Sequence, residues 1–268
     1  MSELSAAKLS LGYGNRRVLS DLDVVFPPRR VTAIVGPNAC GKSTLLRGLA
    51  RVLPCQGGTV TIDGEAVAAM KARRLAQRLG MLPQHPVNPD GVSVEALVRL
   101  GRYPHQRPLR AWSARDQAAV ESAMDATGVT ALRDRPVDEL SGGQRQRAWI
   151  ALALAQQTPL LLLDEPTSFL DLRHQIEVLD LLTRLNTDDE HTIVMVLHDL
   201  GQAARYADHL VVMAGGEVVA AGEASAVLTS GLISRVFEVD CRVIDDPETG
   251  TPLVIPRAPV HRQPSRPR

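Results

Sequence analysis

Residues Gly36 to Thr44 read GPNACGKST, and they stand between the apolar run Val31 to Val35 and a helix-like segment beginning at Leu45. The spacing G-x-x-x-x-G-K-[ST] is that of a phosphate-binding loop. Its reason is mechanical: the backbone must wrap a polyphosphate so closely that successive N–H groups point inward, and Gly36 and Gly41 permit that approach. Between them lie Pro37, Asn38, Ala39 and Cys40, and Lys42 then supplies a point charge. The helix that begins near Thr44 presents its positive end to the same phosphates, and the Ser43 hydroxyl is placed to ligate a magnesium ion. A bare glycine-rich turn is the alternative, but it demands neither the preceding strand nor the following helix.

The rest of the composition narrows the class. With 268 residues the chain can bury a substantial core, and its 30 basic side chains cancel its 30 acidic ones. Zero net charge gives no support to non-specific nucleic-acid binding, which needs a basic surface to displace counterions. The start MSELSAAKLS lacks an apolar signal core and no run approaches the roughly 18 apolar residues of a membrane span, so a cytosolic chain is expected. Cys40, Cys55 and Cys241 form no C-x-x-C spacing, which indicates reduced thiols rather than a disulfide framework or a zinc site.

Outward from the loop, the alternation at Leu9, Leu11, Val18, Leu22 and Val24 predicts antiparallel strands around the turn Gly12 to Asn15, with Tyr13 in that turn. The strand Thr59 to Ile62 follows, and a β-meander around the nucleotide is the simplest reading. Residues 66 to 79 look helical, and Gly80 to Pro83 is a strand delivering Gln84. From Val92 to about Thr127 a helical insert is expected, with a capping box at Ser113 and Asp116. Then comes LSGGQRQR, Leu140 to Arg147, in which Ser141, Gly142 and Gly143 open another helix. Leu160 to Leu163 suits a strand buried on both faces, and it ends in Asp164 and Glu165, where open α/β sheets bind ligands. Ile193 to Leu197 repeats the pattern and ends in His198, and a hairpin turns at Ala214 to Gly216. The tail PRAPVHRQPSRPR is proline-rich, basic and poor in apolar groups, so disorder is expected from residue 256 onward.

In this order and spacing the segments resemble the ATP-binding subunit of ABC transporters over about residues 4 to 255, with LSGGQ the element that sets that family apart from other phosphate-loop ATPases. The resemblance implies a RecA-like α/β core with an antiparallel β subdomain and a helical insert at about residues 85 to 155. It implies ATP and Mg2+ as cofactors, with Gly36 to Thr44 as Walker A and Leu160 to Asp164 as Walker B. Glu165 matches the catalytic carboxylate, His198 the switch histidine, Gln84 the Q-loop glutamine, Ser168 to Asp171 the D-loop, and Tyr13 the aromatic that stacks on adenine. Ser43, Asp164 and Gln84 would hold the metal, while Ser141, Gly142 and Gly143 would meet ATP held by an opposite subunit. Ala39 departs from the glycine common in the family, and an unstrained backbone there, with φ below zero, is the expectation.

The implied partners are a second ATP-binding subunit, read as forming a homodimer, integral membrane permease subunits and, indirectly, an extracytoplasmic substrate-binding protein. No nucleic acid is implied, and the implied place is the cytoplasmic face of the membrane, peripherally bound. LGRYPHQ (Leu100 to Gln106), SFLDLRHQIEVLDLL (Ser168 to Leu182) and DDPETGTPLVIP (Asp245 to Pro256) further resemble the ATPases of ferric-siderophore importers, a group that includes haem and cobalamin systems. Uptake of an iron chelate is therefore the expected work, with haem or cobalamin import as the alternative and a soluble ATP-driven clamp on nucleic acid behind both.

Overall fold

Val31–Val35 forms a strand in which every residue is buried, and so do Leu160–Asp164 and Thr192–Val196. Strands covered on both faces belong at the centre of a parallel sheet. The computed structural model describes residues 3–87, 90–106 and 112–257 and places them there. In chain order the strands are β1 (Leu4–Tyr13), β2 (Arg16–Phe26), β3 (Val31–Val35), β4 (Gly57–Ile62), β5 (Glu65–Ala66), β6 (Leu79–Leu82), β7 (Leu160–Asp164), β8 (Thr192–Val196), β9 (His209–Ala214), β10 (Glu217–Gly222), β11 (Cys241–Asp245) and β12 (Pro252–Pro256). The helices are α1 (Lys42–Leu49), α2 (Ala72–Ala76), α3 (Val94–Leu100), α4 (Ala114–Ala126), α5 (Gly142–Ala155), α6 (Leu172–Asp189), α7 (Leu200–Tyr206), α8 (Ala224–Val227) and α9 (Ser230–Phe237).

The main sheet runs β10-β9-β3-β8-β7-β6, parallel except for the hairpin strand β10. Its register brings the site together. Val196 is level with both Ile34 and Asp164, and Leu82 with Leu163, so the residues just past β3, β6, β7 and β8 emerge along one edge. One apolar cluster fills the space between this sheet, α1 and a smaller antiparallel sheet; a second lies on the opposite face under α6. A third, built on Val94, Leu97, Val120, Met124 and Ala151, holds α3, α4 and α5 together as the helical insert. The expected capping box is present: Ser113 Oγ accepts from Asp116 N and Asp116 Oδ2 accepts from Ser113 N, both at 3.2 Å.

Three local expectations change. The small sheet is ordered β2-β1-β4-β5 rather than as a meander: after β2 the chain leaves to build β3 and the phosphate loop, then returns to pair β4 with β1. Residues 66 to 79 hold only a 3-10 turn at Val67–Ala69 and the short α2, because Met70 and Lys71 are extended between them. The helical insert expected from Val92 to about Thr127 contributes α3 and α4 among the described residues, and a 3-10 turn at Tyr103–His105 that contains Pro104 follows α3. Pro104 lacks the amide proton a continuing helix would use. Finally, Pro256 completes β12 opposite Cys241, and Arg257 N donates to Asp240 O at 2.8 Å, so the chain is ordered two residues further than expected. The expected disordered tail beyond them, residues 258–268, lies outside the described residues.

Candidate functional site

The loop after β3 is shaped by backbone conformations that most side chains avoid. Gly36 has φ 155°, and a Cβ there would fall 2.1 Å from Met213 O; Gly41 has φ 106°, and its Cβ would strike Leu19 Cδ2 at 2.5 Å. Both positions need glycine. Ala39 corrects the sequence expectation, since its φ is 60°, in the left-handed region. The reason is the curl that turns the loop's N–H groups inward, and it costs an L-residue about 1 kcal/mol. Lys42 Nζ donates to Gly36 O at 2.8 Å and to Pro37 O at 2.9 Å, so the buried ammonium already sits inside the curl.

From the start of α1, Ser43 Oγ donates to Asp164 Oδ1 at 2.8 Å, and Asp164 Oδ2 is buried without a hydrogen-bond partner. Burial raises the Asp164 carboxyl's affinity for a proton; Ser43's hydrogen bond opposes this and the neighbouring Glu165 charge adds to it. An oxygen-only donor set with a bare, buried carboxylate oxygen fits a hard divalent cation. Among the described residues no cluster of His, Cys, Asp and Glu could hold a metal by itself, so a cation here would need oxygens from a bound phosphate as well.

Glu165 stands beyond the end of β7 with φ 53°, held by three donors. Gln84 Nε2 reaches Oε2 at 2.6 Å, Ser168 Oγ reaches Oε2 at 2.7 Å, and His198 Nε2 reaches Oε1 at 2.6 Å. Burial pushes this carboxyl up, but the bonds from Ser168, His198 and Gln84 outweigh it, so Glu165 is held below the usual glutamate value. Gln84, Glu165 and His198, expected together, are together.

A cavity of about 400 Å³ opens over the loop, lined by Tyr13, Arg16, Asn38, Lys42, Glu165 and His198 among others. Tyr13 is half exposed at the tip of the β1–β2 hairpin, and Arg47 Nη1 donates to its hydroxyl at 3.3 Å. Cys40 also faces the loop, and burial raises its thiol pKa, which suits a filler rather than a reactive thiol. A groove of the same volume lies between α4 and the end of α6, but Asp189 is the one carboxylate or ammonium-type charge among the residues that line it.

Ser141, Gly142 and Gly143 are not among the residues lining the loop cavity. Ser141 caps α5 with Gln144 in a capping box, its Oγ accepting from Gln144 N at 3.3 Å while Gln144 Oε1 accepts from Ser141 N at 3.1 Å. Gly142 and Gly143 thus open α5 at a place apart from the loop cavity. Sequence reasoning gave Ser168 a place in the D-loop but not its bond to Glu165, and it passed over Arg16 and Arg47. The spacing of Ser168, three residues after Glu165, was a usable signal; the hairpin pairing that sets Arg16 opposite Tyr13 leaves no local trace.

Residues 19–168 match the ABC transporter family. The chain is 50% identical over 256 residues to the probable siderophore transport system ATP-binding protein YusV of Bacillus subtilis, covering 96% of this chain and 93% of that protein. It is 48% identical over the same length to the ferric enterobactin transport ATP-binding protein FepC of Escherichia coli, covering 96% and 94%. Among solved structures, a metal-chelate type ABC transporter in an inward-facing conformation superposes with a TM-score of 0.81 at 28% identity, covering 96% of this chain and 98% of that one. Likeness of this extent covers nearly the whole chain: the chain belongs to the ABC transporter family, as an ATP-binding, ATP-hydrolysing subunit.

Proposed function

We propose that the protein energises the uptake of a ferric siderophore through a membrane permease, hydrolysing ATP at the cavity over the phosphate loop. The observation that carries the cargo is near-half identity along almost the whole chain to the two siderophore-system proteins named above. ATP's phosphates are held by the backbone of Gly36 to Thr44 and by Lys42, and Tyr13 stacks on the base. Ser43, Asp164 and Gln84 would hold Mg2+, for which the bare Asp164 Oδ2 is the supporting feature. Bound there, the ion neutralises charge on the phosphates. Glu165 takes the proton of the attacking water and His198 contacts the terminal phosphate, which requires both to give up their present bond to each other.

Ser141, Gly142 and Gly143 serve the nucleotide of a second copy, so the active form is a head-to-tail homodimer. Their absence from the chain's own cavity lining supports this reading. The domain assignment stands with it: one nucleotide-binding domain to about residue 255, with the insert between about 85 and 155. No helix among the described residues is long and apolar enough to cross a membrane, which fits a subunit that docks peripherally on the cytoplasmic face against the permease. Leu100 and Tyr103, exposed beside the insert, are the docking contacts, and an extracytoplasmic binding protein delivers cargo to the far side. Uptake of radiolabelled iron, offered with each siderophore in turn to iron-starved cells carrying Glu165→Gln, tests the assignment. Loss of at least one uptake route is expected. Unchanged accumulation from all of them, or loss of haem or cobalamin uptake alone, overturns it.

A further inference from the structure

His174 and Gln175 lie just past the D-loop, in the stretch Ser168 to Leu182, and nucleotide chemistry gives neither a task. They reach in opposite directions. His174 Nδ1–H donates to Asp171 Oδ1 at 2.6 Å, and the His174 backbone N–H donates to the same oxygen at 2.9 Å. Its ring lies flat against the start of α5: a Cβ on Gly143 would meet His174 Cδ2 at 2.7 Å and Cγ at 2.8 Å. Gln175 faces the other way. Its Nε2 donates to Leu170 O at 2.9 Å, and its Oε1 accepts from Gln202 Nε2 at 2.8 Å. Gln202 belongs to the first turn of α7, where its backbone N–H is capped by Asp199 Oδ1 at 2.8 Å, one residue past His198.

Ahead of the residues so tied, the backbone enters the left-handed region twice, at Glu165 with φ 53° and at Phe169 with φ 63°. A bulky residue such as Phe169 stays there only when its surroundings over-determine the conformation. The bonds from His174 and Gln175 hold Asp171 and Leu170, the two residues that follow Phe169 directly, and the Phe169 ring lies 5.7 Å from that of His85. We infer that His174 and Gln175 are positioning residues, which set the D-loop in fixed register between the signature glycines on one side and the switch helix α7 on the other. A path of contacts then runs from Gly143 through His174, Asp171, Gln175 and Gln202 to Asp199, and along the chain from Asp199 to His198 and so to Glu165. Through it, an anion engaged at the signature of one subunit bears on the carboxylate of that same subunit.

The inference rests on the ATPase activity assigned above, and its test separates the two. Steady-state ATP turnover of the purified full chain is measured for Gln175→Ala and Gln202→Ala, with nucleotide affinity followed by a fluorescent ATP analogue. A neutral side-chain hydrogen bond is worth up to about tenfold in an equilibrium between two loop positions, so kcat should fall about 5- to 10-fold with KM and affinity within about twofold. Gly143→Ala should lose activity because its Cβ meets the His174 ring, and adding His174→Ala should recover several-fold of that loss. Unchanged kcat in both amide variants overturns the inference, as does a parallel fall in nucleotide affinity, which marks a folding role. A Gly143→Ala defect indifferent to residue 174 overturns it too. A wild-type chain that turns over no ATP counts against the ATPase reading instead.

Discussion

Glu165 Oε1 accepts from His198 Nε2 at 2.6 Å, so the carboxylate that would activate water is already engaged by the side chain that would face the terminal phosphate. Replacing the carboxylate by an amide keeps the shape and removes the base. Glu165→Gln is expected to lower kcat by about 10²- to 10⁴-fold while ATP affinity changes less than about threefold. Single-turnover kinetics with equilibrium nucleotide binding measures both, and wild-type turnover would remove Glu165 from the chemistry.

Ser43 and Asp164 share one hydrogen bond and leave one oxygen bare. Ser43→Ala should raise the magnesium concentration needed for half-maximal hydrolysis by about 10- to 100-fold. Chelation of the ion should stop turnover in the wild type yet leave measurable nucleotide binding, because the loop amides and Lys42 remain. A magnesium titration of both proteins decides it.

Ala39 sits at φ 60°, where glycine is at ease. Ala39→Gly relieves about 1 kcal/mol of backbone strain and returns part of it as extra freedom in the unfolded chain. The expected net effect is a rise in Tm of about 1–2 °C, read by thermal unfolding of the nucleotide-free protein. A fall in Tm would mean that the alanine methyl is a packing group.

Arg102 is almost completely buried, its Nε 3.0 Å from Asp116 Oδ1 and its Nη1 donating to Ala155 O at 2.7 Å and to Gln157 Oε1 at 2.9 Å. Truncation takes the guanidinium from Asp116 Oδ1 and from two carbonyl oxygens, and opens a cavity between α3, α4 and α5. Arg102→Ala is expected to cost about 3–5 kcal/mol in denaturant-induced unfolding. A loss below about 1 kcal/mol would show that water replaces the guanidinium.

Burial lowers the pKa values of His105, His191 and His209 from the ordinary 6.5. The unfolded chain therefore takes up protons first as pH falls. The stability these histidines contribute is complete above about pH 6.5 and is lost as pH drops through their folded values. Thermal unfolding across about pH 7.5 to 5.5 should show Tm decreasing toward acid, and His191→Gln should flatten the slope. A Tm independent of pH in that window would contradict the buried, neutral assignment.

The main sheet was legible because its strands announce themselves: continuous apolar runs at Val31, Leu160 and Ile193, each ending in glycine, carboxylate or histidine, specify both depth and edge. Ser141 and Ser113 read correctly as caps because capping is decided within four residues. Pairing β4 with β1 is a relation across 58 residues at Leu4 and Ile62, and no local spacing encodes it. Arg102 was illegible for another reason: an arginine reads as surface until its carboxylate and carbonyl partners are placed around it. At Ala39 the loop's tertiary demand overrode the residue's own conformational preference, as it does at Glu165 and Phe169.

The order β2-β1-β4-β5 has a consequence for how the molecule is assembled and handled. The first strand is flanked by one neighbour made before the phosphate loop and one made after it, so the small sheet closes only when the whole intervening stretch has returned. The loop is laced in place by its own chain, and the pairing of β1 with β4 shuts the lacing. The two ends of β1 are therefore unequal. Leu4 lies beside Phe26 and Ile62, while Tyr13 lies at the far tip, against the nucleotide cavity. A fusion joined ahead of residue 3 leaves that tip clear, whereas trimming the first dozen residues removes the central strand of the small sheet and unlaces the loop from a distance.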